Sequence, residues 1–342
     1  MLAVVKTAPG RGAELQRLPI PAPGLTDVLI RVRTAAICGT DLHIYNWNAW
    51  SQQRIRPPLV IGHEFCGVVE RVGAEVSLVR PGDFVSAEMH VACGRCYQCR
   101  TGSSHICRDV RIIGVDEDGC FAEFVRVPQA NVWKVDPTIP PEVAALFDPL
   151  GNAVHTVLAG PVAAATMAVI GCGPIGQFAV AVAGACGASR IFAVEINDRR
   201  LEIARRMGAD VAVNPSREDP VARVFEETAG AGVDVALEMS GHPEAVRNAF
   251  AVLRRGGQVS LLGIPPSPVP IDLARDVIFR GATVVGIHGR RVFQTWYQME
   301  ALVKSGRLDI TPAITARLPL AEFAQGMEML LDGGGSKILL QP

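Results

Sequence analysis

A short apolar run followed by three closely spaced glycines is the feature that most constrains the fold of this chain. Residues 167–176 read MAVIGCGPIG, and an Ala- and Val-rich segment, Gln177–Ala185, continues beyond them. The apolar run predicts a buried strand and the later segment a helix, which puts Gly171, Gly173 and Gly176 in the turn between them. In that context the glycines predict a dinucleotide site, because they permit a tight turn, a close approach of the pyrophosphate and close helix packing.

The next predicted strand ends in an acidic residue that bears on the choice of cofactor. Glu195 closes the run Ile191–Glu195 and lies 19 residues beyond Gly176. A carboxylate here accepts hydrogen bonds from the ribose hydroxyls of NAD and repels a 2′-phosphate, so the sequence favours NAD over NADP. Arg199 and Arg200 could receive such a phosphate, and for Arg200 a ribose or adenine contact and a solvated helix charge both stay open.

Further cofactor contacts are expected where later strands end, because strand carboxyl ends line the cofactor crevice in such folds. The expected positions are Ile175 in the glycine turn, Leu262, Gly263 and Ile264 after one strand, and Ile287 and His288 at the end of the next.

The sequence around this motif divides into two parts. The first ~150 residues are rich in Gly, Pro and short alternating runs, which favours a β-rich, barrel-like domain. From about 165 to 288, apolar strands alternate with amphipathic segments, which predicts βαβ units and a doubly wound parallel sheet. We therefore expect an α/β chain with a β-rich domain at 1–150, completed by 292–342, and a Rossmann domain at 151–291. The final run Ile338–Leu340 is expected to return to the first domain as a strand.

Four of the nine cysteines fall within fifteen residues. A compact set of four thiols on a Gly-containing loop can surround Zn²⁺ with no position left for water, which is typical of a structural site. An iron–sulfur cluster and unmetallated thiols are the alternatives, since ferredoxins also use tight cysteine spacing. The set is Cys93, Cys96, Cys99 and Cys107. Four others, Cys66, Cys120, Cys172 and Cys186, sit in apolar or Gly-rich surroundings and are expected to be small buried side chains.

The overall charge is nearly balanced, with 33 Lys plus Arg against 34 Asp plus Glu. Such a balance gives no basic footprint for nucleic acid and no acidic tail. No apolar run reaches the roughly 18 residues of a membrane span, and the N-terminus lacks a secretory signal. We therefore expect a cytoplasmic protein that binds neither nucleic acid nor membrane.

A second group of metal-ligating residues lies near the N-terminus. Cys38-Gly-Thr40-Asp-x-His43 is followed by Gly-His63-Glu64. A thiolate, an imidazole and a carboxylate form a catalytic type of zinc site when one position is left for water or substrate. The spacing alone does not establish such a site, because a lone Cys and a distant His more often belong to a core.

Taken in order, these motifs resemble the zinc-containing medium-chain alcohol dehydrogenases over essentially the whole chain. Longer strings resemble, more narrowly, the L-threonine 3-dehydrogenase branch of that family, whereas the ligand pattern is shared with polyol and simple alcohol dehydrogenases. The strings are AICGTDLHIYNWNAWS at 36–51, FDPLGNAVHT at 147–156, EMSG at 238–241, LGIPPS at 262–267 and TWY at 295–297.

The resemblance implies a GroES-like fold for the β-rich domain and assigns roles by matching position. The matches are Cys38, His63 and Glu64 to catalytic zinc ligands, the four clustered cysteines to structural zinc ligands, Thr40 and His43 to a proton relay, and Asp148 to an acid near the zinc. Many relatives carry Glu at that last position, so the shorter Asp148 is expected to support catalysis rather than to be a firm ligand. Homologues of this kind are commonly homotetramers.

The implied reaction is the NAD-dependent oxidation of the L-threonine side-chain hydroxyl to 2-amino-3-oxobutanoate. Zinc would lower the pKa of the hydroxyl, Thr40 and His43 would pass the proton to solvent, and hydride would go from Cβ to the nicotinamide. His90 is a candidate contact for the substrate, with a structural role as the alternative, and Arg290 and Arg291 are weaker candidates. The product is a β-keto acid, so an enzyme that consumes it is a plausible partner.

Three other functions are considered and are less favoured by the sequence. A polyol or secondary-alcohol dehydrogenase would use the same zinc and NAD machinery. A non-catalytic, NAD-sensing member would be expected to lack a ligand, yet Cys38, His63 and Glu64 are all present. A zinc-free quinone reductase of the same fold would need neither ligand set. The active site is expected in the cleft between the two domains, as ligand sites often are.

Overall fold

The structure, a computed structural model, describes all 342 residues. Its β-strands are β1 (Leu2–Lys6), β2 (Glu14–Arg17), β3 (Asp27–Ala36), β4 (Leu59–Val60), β5 (Glu64–Val72), β6 (Phe84–Ala87), β7 (His90–Val91), β8 (Arg111–Ile112), β9 (Phe124–Pro128), β10 (Val132–Lys134), β11 (Thr166–Ile170), β12 (Arg190–Val194), β13 (Val211–Val213), β14 (Val233–Glu238), β15 (Leu253–Leu261), β16 (Thr283–Gly286), β17 (Ile314–Pro319) and β18 (Lys337–Gln341).

The α-helices are fewer, and several are only one or two turns long. They are α1 (Gly39–Asn46), α2 (Ala49–Arg54), α3 (Tyr97–Arg100), α4 (Pro141–Ala144), α5 (Phe147–Leu158), α6 (Pro174–Ala185), α7 (Asp198–Arg206), α8 (Pro220–Glu227), α9 (Pro243–Ala251), α10 (Gln294–Lys304) and α11 (Phe323–Leu331). A π-helical turn covers Leu273–Ile278, and short 3₁₀ turns cover Ser104–Ile106, Gln129–Asn131, Thr311–Ala313 and Leu320–Glu322. None of the helices is long and apolar enough to cross a membrane.

The chain forms two compact units. The first comprises Met1–Asp148, Arg291–Trp296 and Ile314–Pro342, and the second comprises Pro149–Arg290 and Tyr297–Ala313. The predicted first domain includes all of 292–342, whereas Tyr297–Ala313, which includes most of α10, groups with the second unit. An amphipathic helix near a domain boundary can pack on either core, and its periodicity does not say which.

The first unit is organised around β3. In the largest sheet the strand order is β10-β6-β5-β3-β18-β17, and β9 also pairs with β3. Most of β3 is buried, with Leu29 and Ile30 both 0% exposed. The last strand, β18, runs antiparallel to β3, with Leu339 opposite Ala36. The end of the chain therefore does return to the first unit as a strand beside β3.

The second unit contains a six-stranded sheet that is parallel throughout. Its strand order is β13-β12-β11-β14-β15-β16, so the direction of winding reverses between β11 and β14. Buried apolar side chains dominate β11 and β12, as expected for strands covered by helices on both faces. This is the doubly wound order, in which ligands bind outside the strand ends at the reversal point. The predicted α/β fold class is confirmed.

The placement of β3 can be tested by shortening one of its buried side chains. Leu29→Ala removes a side chain that is 0% exposed, and such core changes cost about 2–5 kcal/mol. We expect a clear fall in the thermal or denaturant midpoint of unfolding. The matched control is Leu78→Ala in the same unit. Leu78 is 62% exposed, so this substitution should change the free energy of unfolding by no more than about 0.5 kcal/mol. An equal loss of stability in both variants would contradict the described core.

Candidate functional site

The four clustered cysteines converge around α3. The ligand atoms of Cys93, Cys96, Cys99 and Cys107 all lie within 4.8 Å of one another. The Sγ atom of Cys96 is 3.4 Å from that of Cys99 and 3.8 Å from that of Cys107. Four sulfurs at about 2.3 Å from a central Zn²⁺ form a tetrahedron with edges of about 3.8 Å. The spacing of the sulfurs therefore fits a tetrahedral zinc ion with no open position.

The thiols of this cluster differ in how readily they ionise. Backbone N–H groups of Cys99 and Arg108 lower the pKa of Cys96 to about 6. By contrast, burial and the neighbouring sulfurs raise the pKa of Cys99 to about 12. Successive thiolates at such short distances repel each other, so the set can be fully ionised only around a cation, which agrees with the donor geometry.

The second ligand group is assembled by the register of the first unit's main sheet. Cys38 lies two residues beyond the end of β3, and Glu64 opens β5 directly opposite Ala36. His63 precedes Glu64, so the turn into β5 brings both beside the thiol. The ligand atoms of Cys38, His63 and Glu64 lie within 4.8 Å of one another. The sequence pattern therefore predicted a cluster that the fold does bring together.

A buried carboxylate supports two members of this cluster. Asp41 accepts a hydrogen bond from the Cys38 backbone N–H at 2.8 Å, and its other oxygen lies 3.5 Å from Nδ1 of His63. Burial alone favours the neutral imidazole, but Asp41 and Cys38 raise the pKa of His63 well above its ordinary value. A carboxylate behind a histidine is the usual support for a metal-ligating ring. Asp41 was quoted within the motif, but its contact with His63 was not foreseen.

Glu64 has a partner that sequence reasoning missed. Nζ of Lys337, in β18, lies 2.5 and 2.6 Å from the two carboxylate oxygens of Glu64 and 3.2 Å from the carbonyl oxygen of Ile37. Burial opposes the charged form of Lys337, yet the Glu64 carboxylate raises its pKa, and Cys38 acts in the same direction. The assignment of Glu64 as a zinc ligand therefore stays a prediction, because Lys337 engages both oxygens.

The other proposed catalytic residues differ in how far they are buried and in what they contact. The Cys38 sulfur is 3.9 Å from Oγ1 of Thr40, so Thr40 lies beside the ligand group. Asp148 is 93% buried at the start of α5, and its charge also acts on Glu64. His43 is exposed on α1, where its Nδ1 lies 2.9 Å from the side-chain nitrogen of Asn48.

His90 belongs to a separate hydrogen-bonded group in the first unit. Its Nδ1 and its backbone N–H lie 2.8 and 3.0 Å from one carboxylate oxygen of the fully buried Glu88. The indole N–H of Trp296 donates to the other oxygen at 3.0 Å. Glu88 therefore fixes the orientation of the His90 ring. Sequence reasoning missed this carboxylate, for which the available signal was its position two residues before His90.

The glycine turn of the second unit has the form that a bound pyrophosphate requires. Gly171 has φ +93°, and a Cβ there would lie 2.6 Å from Cβ of Ser240. A Cβ on Gly176 would lie 2.0 Å from the Gly171 carbonyl oxygen, which shows how closely α6 packs on the turn. Nothing lies within 4 Å of a Cβ on Gly173, so the space in front of the turn is open. The turn leads into the N-terminus of α6, which favours an anion.

A cavity of about 330 Å³ lies beside this turn within the second unit, and Gly171, Glu195, Ile196, Arg200, Ser240 and His242 are among its lining residues. The Glu195 carboxylate accepts hydrogen bonds from the backbone N–H groups of Cys172 at 2.9 Å and Asn197 at 3.1 Å. Nε of Arg200 is buried without a hydrogen-bond partner. The cavity thus offers a fixed acceptor and an unsatisfied donor, which fits an adenosine ribose. Ile196 and His242 were not predicted: Ile196 directly follows Glu195, whereas only the fold brings His242 here.

The other proposed cofactor residues follow β15 and β16. The backbone N–H groups of Leu262 and Gly263 donate to the carbonyl oxygen of Glu238, and Ile264 is 90% exposed. Ile287 is buried and bonded to β15, whereas His288 is exposed. Ile175 is the second residue of α6. Their contacts with a cofactor stay predictions.

Fold and donor sets together define a zinc-binding dehydrogenase. Residues 24–137 match the family model of the alcohol dehydrogenase GroES-like domain, and residues 174–305 match that of the zinc-binding dehydrogenases. The chain therefore belongs to the zinc-binding alcohol dehydrogenase family and is an oxidoreductase.

Individual members of the family that resemble this chain include two L-threonine 3-dehydrogenases and an alcohol dehydrogenase of known structure. L-threonine 3-dehydrogenase of Bacillus licheniformis is 47% identical, covering 100% of this chain and 99% of the relative. The enzyme of the same name from Bacillus subtilis is 48% identical over the same shares. Among solved structures, alcohol dehydrogenase TADH from Thermus sp. ATN1 superposes with a TM-score of 0.92 at 34% identity, covering 100% of this chain and 99% of that one.

The two donor sets predict a specific metal content. Zinc-replete protein should contain about two zinc ions per chain, and Cys107→Ser should reduce this to about one because the structural tetrahedron loses a ligand. Elemental analysis of gel-filtered protein measures it. Cys186→Ser is the control, since Cys186 lies outside both clusters and should leave the content unchanged. A full complement of zinc in Cys107→Ser would contradict the assignment.

Proposed function

We propose that the chain oxidises L-threonine at its side-chain hydroxyl, with NAD as the hydride acceptor, to give 2-amino-3-oxobutanoate. The observation that carries the proposal is identity of 47% over the full length of an L-threonine 3-dehydrogenase, in a chain that keeps both donor sets. A polyol or secondary-alcohol dehydrogenase would share the zinc sites, but relatives at 47% and 48% identity carry the name L-threonine 3-dehydrogenase.

The residues around Cys38 suit this chemistry. When zinc is held by Cys38 and His63, it supplies Lewis acidity that lowers the pKa of an alcohol. Asp41 orients His63 from behind, and Lys337 balances the charge of Glu64. Thr40 lies at the edge of the site, and His43, exposed on the same helix, carries the released proton toward solvent. Asp148 adds a buried carboxylate that supports this proton transfer.

The substrate's ammonium and carboxylate also need partners. We assign His90 to one of them, because Glu88 holds its Nδ1 and thereby fixes the direction of its other ring nitrogen. The product is a β-keto acid that can lose CO₂, so we expect an enzyme that consumes it quickly. None of the nine cysteines forms a disulfide, which agrees with a reducing compartment such as the cytoplasm.

The substrate assignment is tested by following NADH formation at 340 nm with purified, zinc-replete protein. L-threonine should be oxidised in strong preference to L-serine, sorbitol, 2,3-butanediol and ethanol. Cys38→Ser should abolish the activity, whereas Cys186→Ser should retain it. If sorbitol or a simple alcohol reacts fastest, the threonine assignment is wrong and the zinc chemistry stands. No reduction with any substrate would favour a non-catalytic, NAD-binding role.

The preference for NAD should depend on Glu195. The carboxylate is fixed by two backbone N–H groups and would repel the 2′-phosphate of NADP. Glu195→Gln removes the charge and keeps the shape, so the ratio of kcat/KM for NAD over NADP should fall at least about tenfold, which corresponds to about 1.4 kcal/mol. Glu202→Gln, on the following helix and exposed, is the control. An unchanged ratio in Glu195→Gln would exclude this source of specificity.

We also propose that the chain assembles as a homotetramer through the open edge of the second unit's sheet. β16 pairs only with β15, and nearby apolar side chains are exposed: Ile264 (90%), Leu273 (65%), Ile278 (69%), Phe279 (76%) and Val284 (44%). Exposed strand edges with apolar side chains favour association. Light scattering should give the mass of four chains, and Phe279→Asp should lower it. A monomeric mass for the unaltered protein would contradict the proposal.

A further inference from the structure

Asn48 sits between two helices with its side-chain amide held in one orientation. It is the N-cap of α2, and its Oδ1 accepts a hydrogen bond from the backbone N–H of Ser51 at 3.0 Å, while the Ser51 hydroxyl oxygen lies 3.1 Å from the same atom. A backbone N–H can only donate, so the atom facing it must be the amide oxygen. The amide nitrogen, Nδ2, therefore points the other way.

What Nδ2 faces is His43. The distance from Nδ2 of Asn48 to Nδ1 of His43 is 2.9 Å. An amide nitrogen only donates, so Nδ1 must be the acceptor and must carry a lone pair rather than a proton. The backbone of His43 is tied to α2 because the Ser51 hydroxyl donates to the His43 carbonyl oxygen at 2.7 Å, and the Trp50 ring lies edge-on to the imidazole with the ring centroids 6.4 Å apart. In neutral His43 the single ring proton must then be on Nε2.

We propose that Asn48 is a positioning residue that fixes the tautomer of His43, holding its proton on Nε2 and covering the lone pair of Nδ1. A neutral imidazole takes up a proton only through its free lone pair. Proton uptake by His43 therefore requires that the Asn48 amide first leave Nδ1. For the relay this conclusion rests on the proposed function, in which His43 carries the proton of the substrate hydroxyl. The tautomer itself does not depend on any substrate.

The chain offers two variants that keep the helix cap and change only the group facing the ring. Asp and Ser are both good N-cap residues, so Asn48→Asp and Asn48→Ser should preserve α2. The Asp carboxylate can only accept, so it should draw the proton to Nδ1. The shorter Ser presents no amide N–H to the ring and should leave a mixture of the two tautomers.

The tautomer is read by ¹⁵N NMR of histidine-labelled, zinc-replete protein at a pH where the imidazole is neutral. His43→Asn identifies the His43 signals among those of the seven histidines. We expect Nδ1 unprotonated and Nε2 protonated in the unaltered protein, the reverse in Asn48→Asp, and a larger Nδ1–H fraction in Asn48→Ser. A protonated Nδ1 in the unaltered protein, or the same tautomer in all three proteins, would overturn the proposal. A helix cap without any effect on His43 would leave these signals unmoved.

The consequence for the relay is measured by stopped flow, with a pH indicator in weak buffer during a single turnover of L-threonine. A neutral hydrogen bond shifts an equilibrium by roughly two- to tenfold, so proton release should accelerate by that factor in Asn48→Ser. An unchanged rate would overturn the part of the proposal that concerns the relay. If the unaltered protein does not oxidise L-threonine at all, the proposed function fails, while the NMR result still decides the tautomer.

Discussion

The buried ion pair between Lys337 and Glu64 is the contact on which the first unit's site depends. Lys337 and Glu64 are 2% and 0% exposed, and they lie on strands that flank β3 from opposite sides. A buried pair of this kind adds little stability over an apolar pair, but the loss of one partner leaves an uncompensated charge at a cost of about 3–5 kcal/mol. The pair therefore ties the register of β18 and β5 to the end of β3, where Cys38 begins the site.

This arrangement explains why the last residues of the chain belong with the first. Ile37 donates its backbone N–H to the carbonyl oxygen of Ile338, and Lys337 reaches the carbonyl oxygen of Ile37. A shift of β18 by one residue would turn Lys337 to the other face of the sheet, because side chains alternate along a strand. The apolar residues that follow it, Ile338 and Leu340, pack in the same core and hold that register.

Features of the fold and of the site could be predicted where the residues that specify them are close together in the sequence. The glycine turn, Glu195 and the spacing of the four cysteines each specify a short piece of backbone, so the sequence alone predicted a glycine turn and two donor sets that the structure does bring together. Lys337 and Glu88 act over separations of 273 and 208 residues, to Glu64 and Trp296 respectively. No periodicity within one segment reveals such partners. The grouping of Tyr297–Ala313 with the second unit was missed for the same reason.

The charges of the first unit's site point to the kind of ion that it suits. Asp41, Glu64 and Asp148 are buried carboxylates, and Cys38 adds a thiol that becomes a thiolate when it binds metal. Lys337 is the buried lysine among them, and His63 must be neutral to act as a ligand. With zinc bound, four negative groups would thus face one ammonium group. Because unbalanced charge is costly in a low dielectric, the excess favours a divalent cation over a monovalent one.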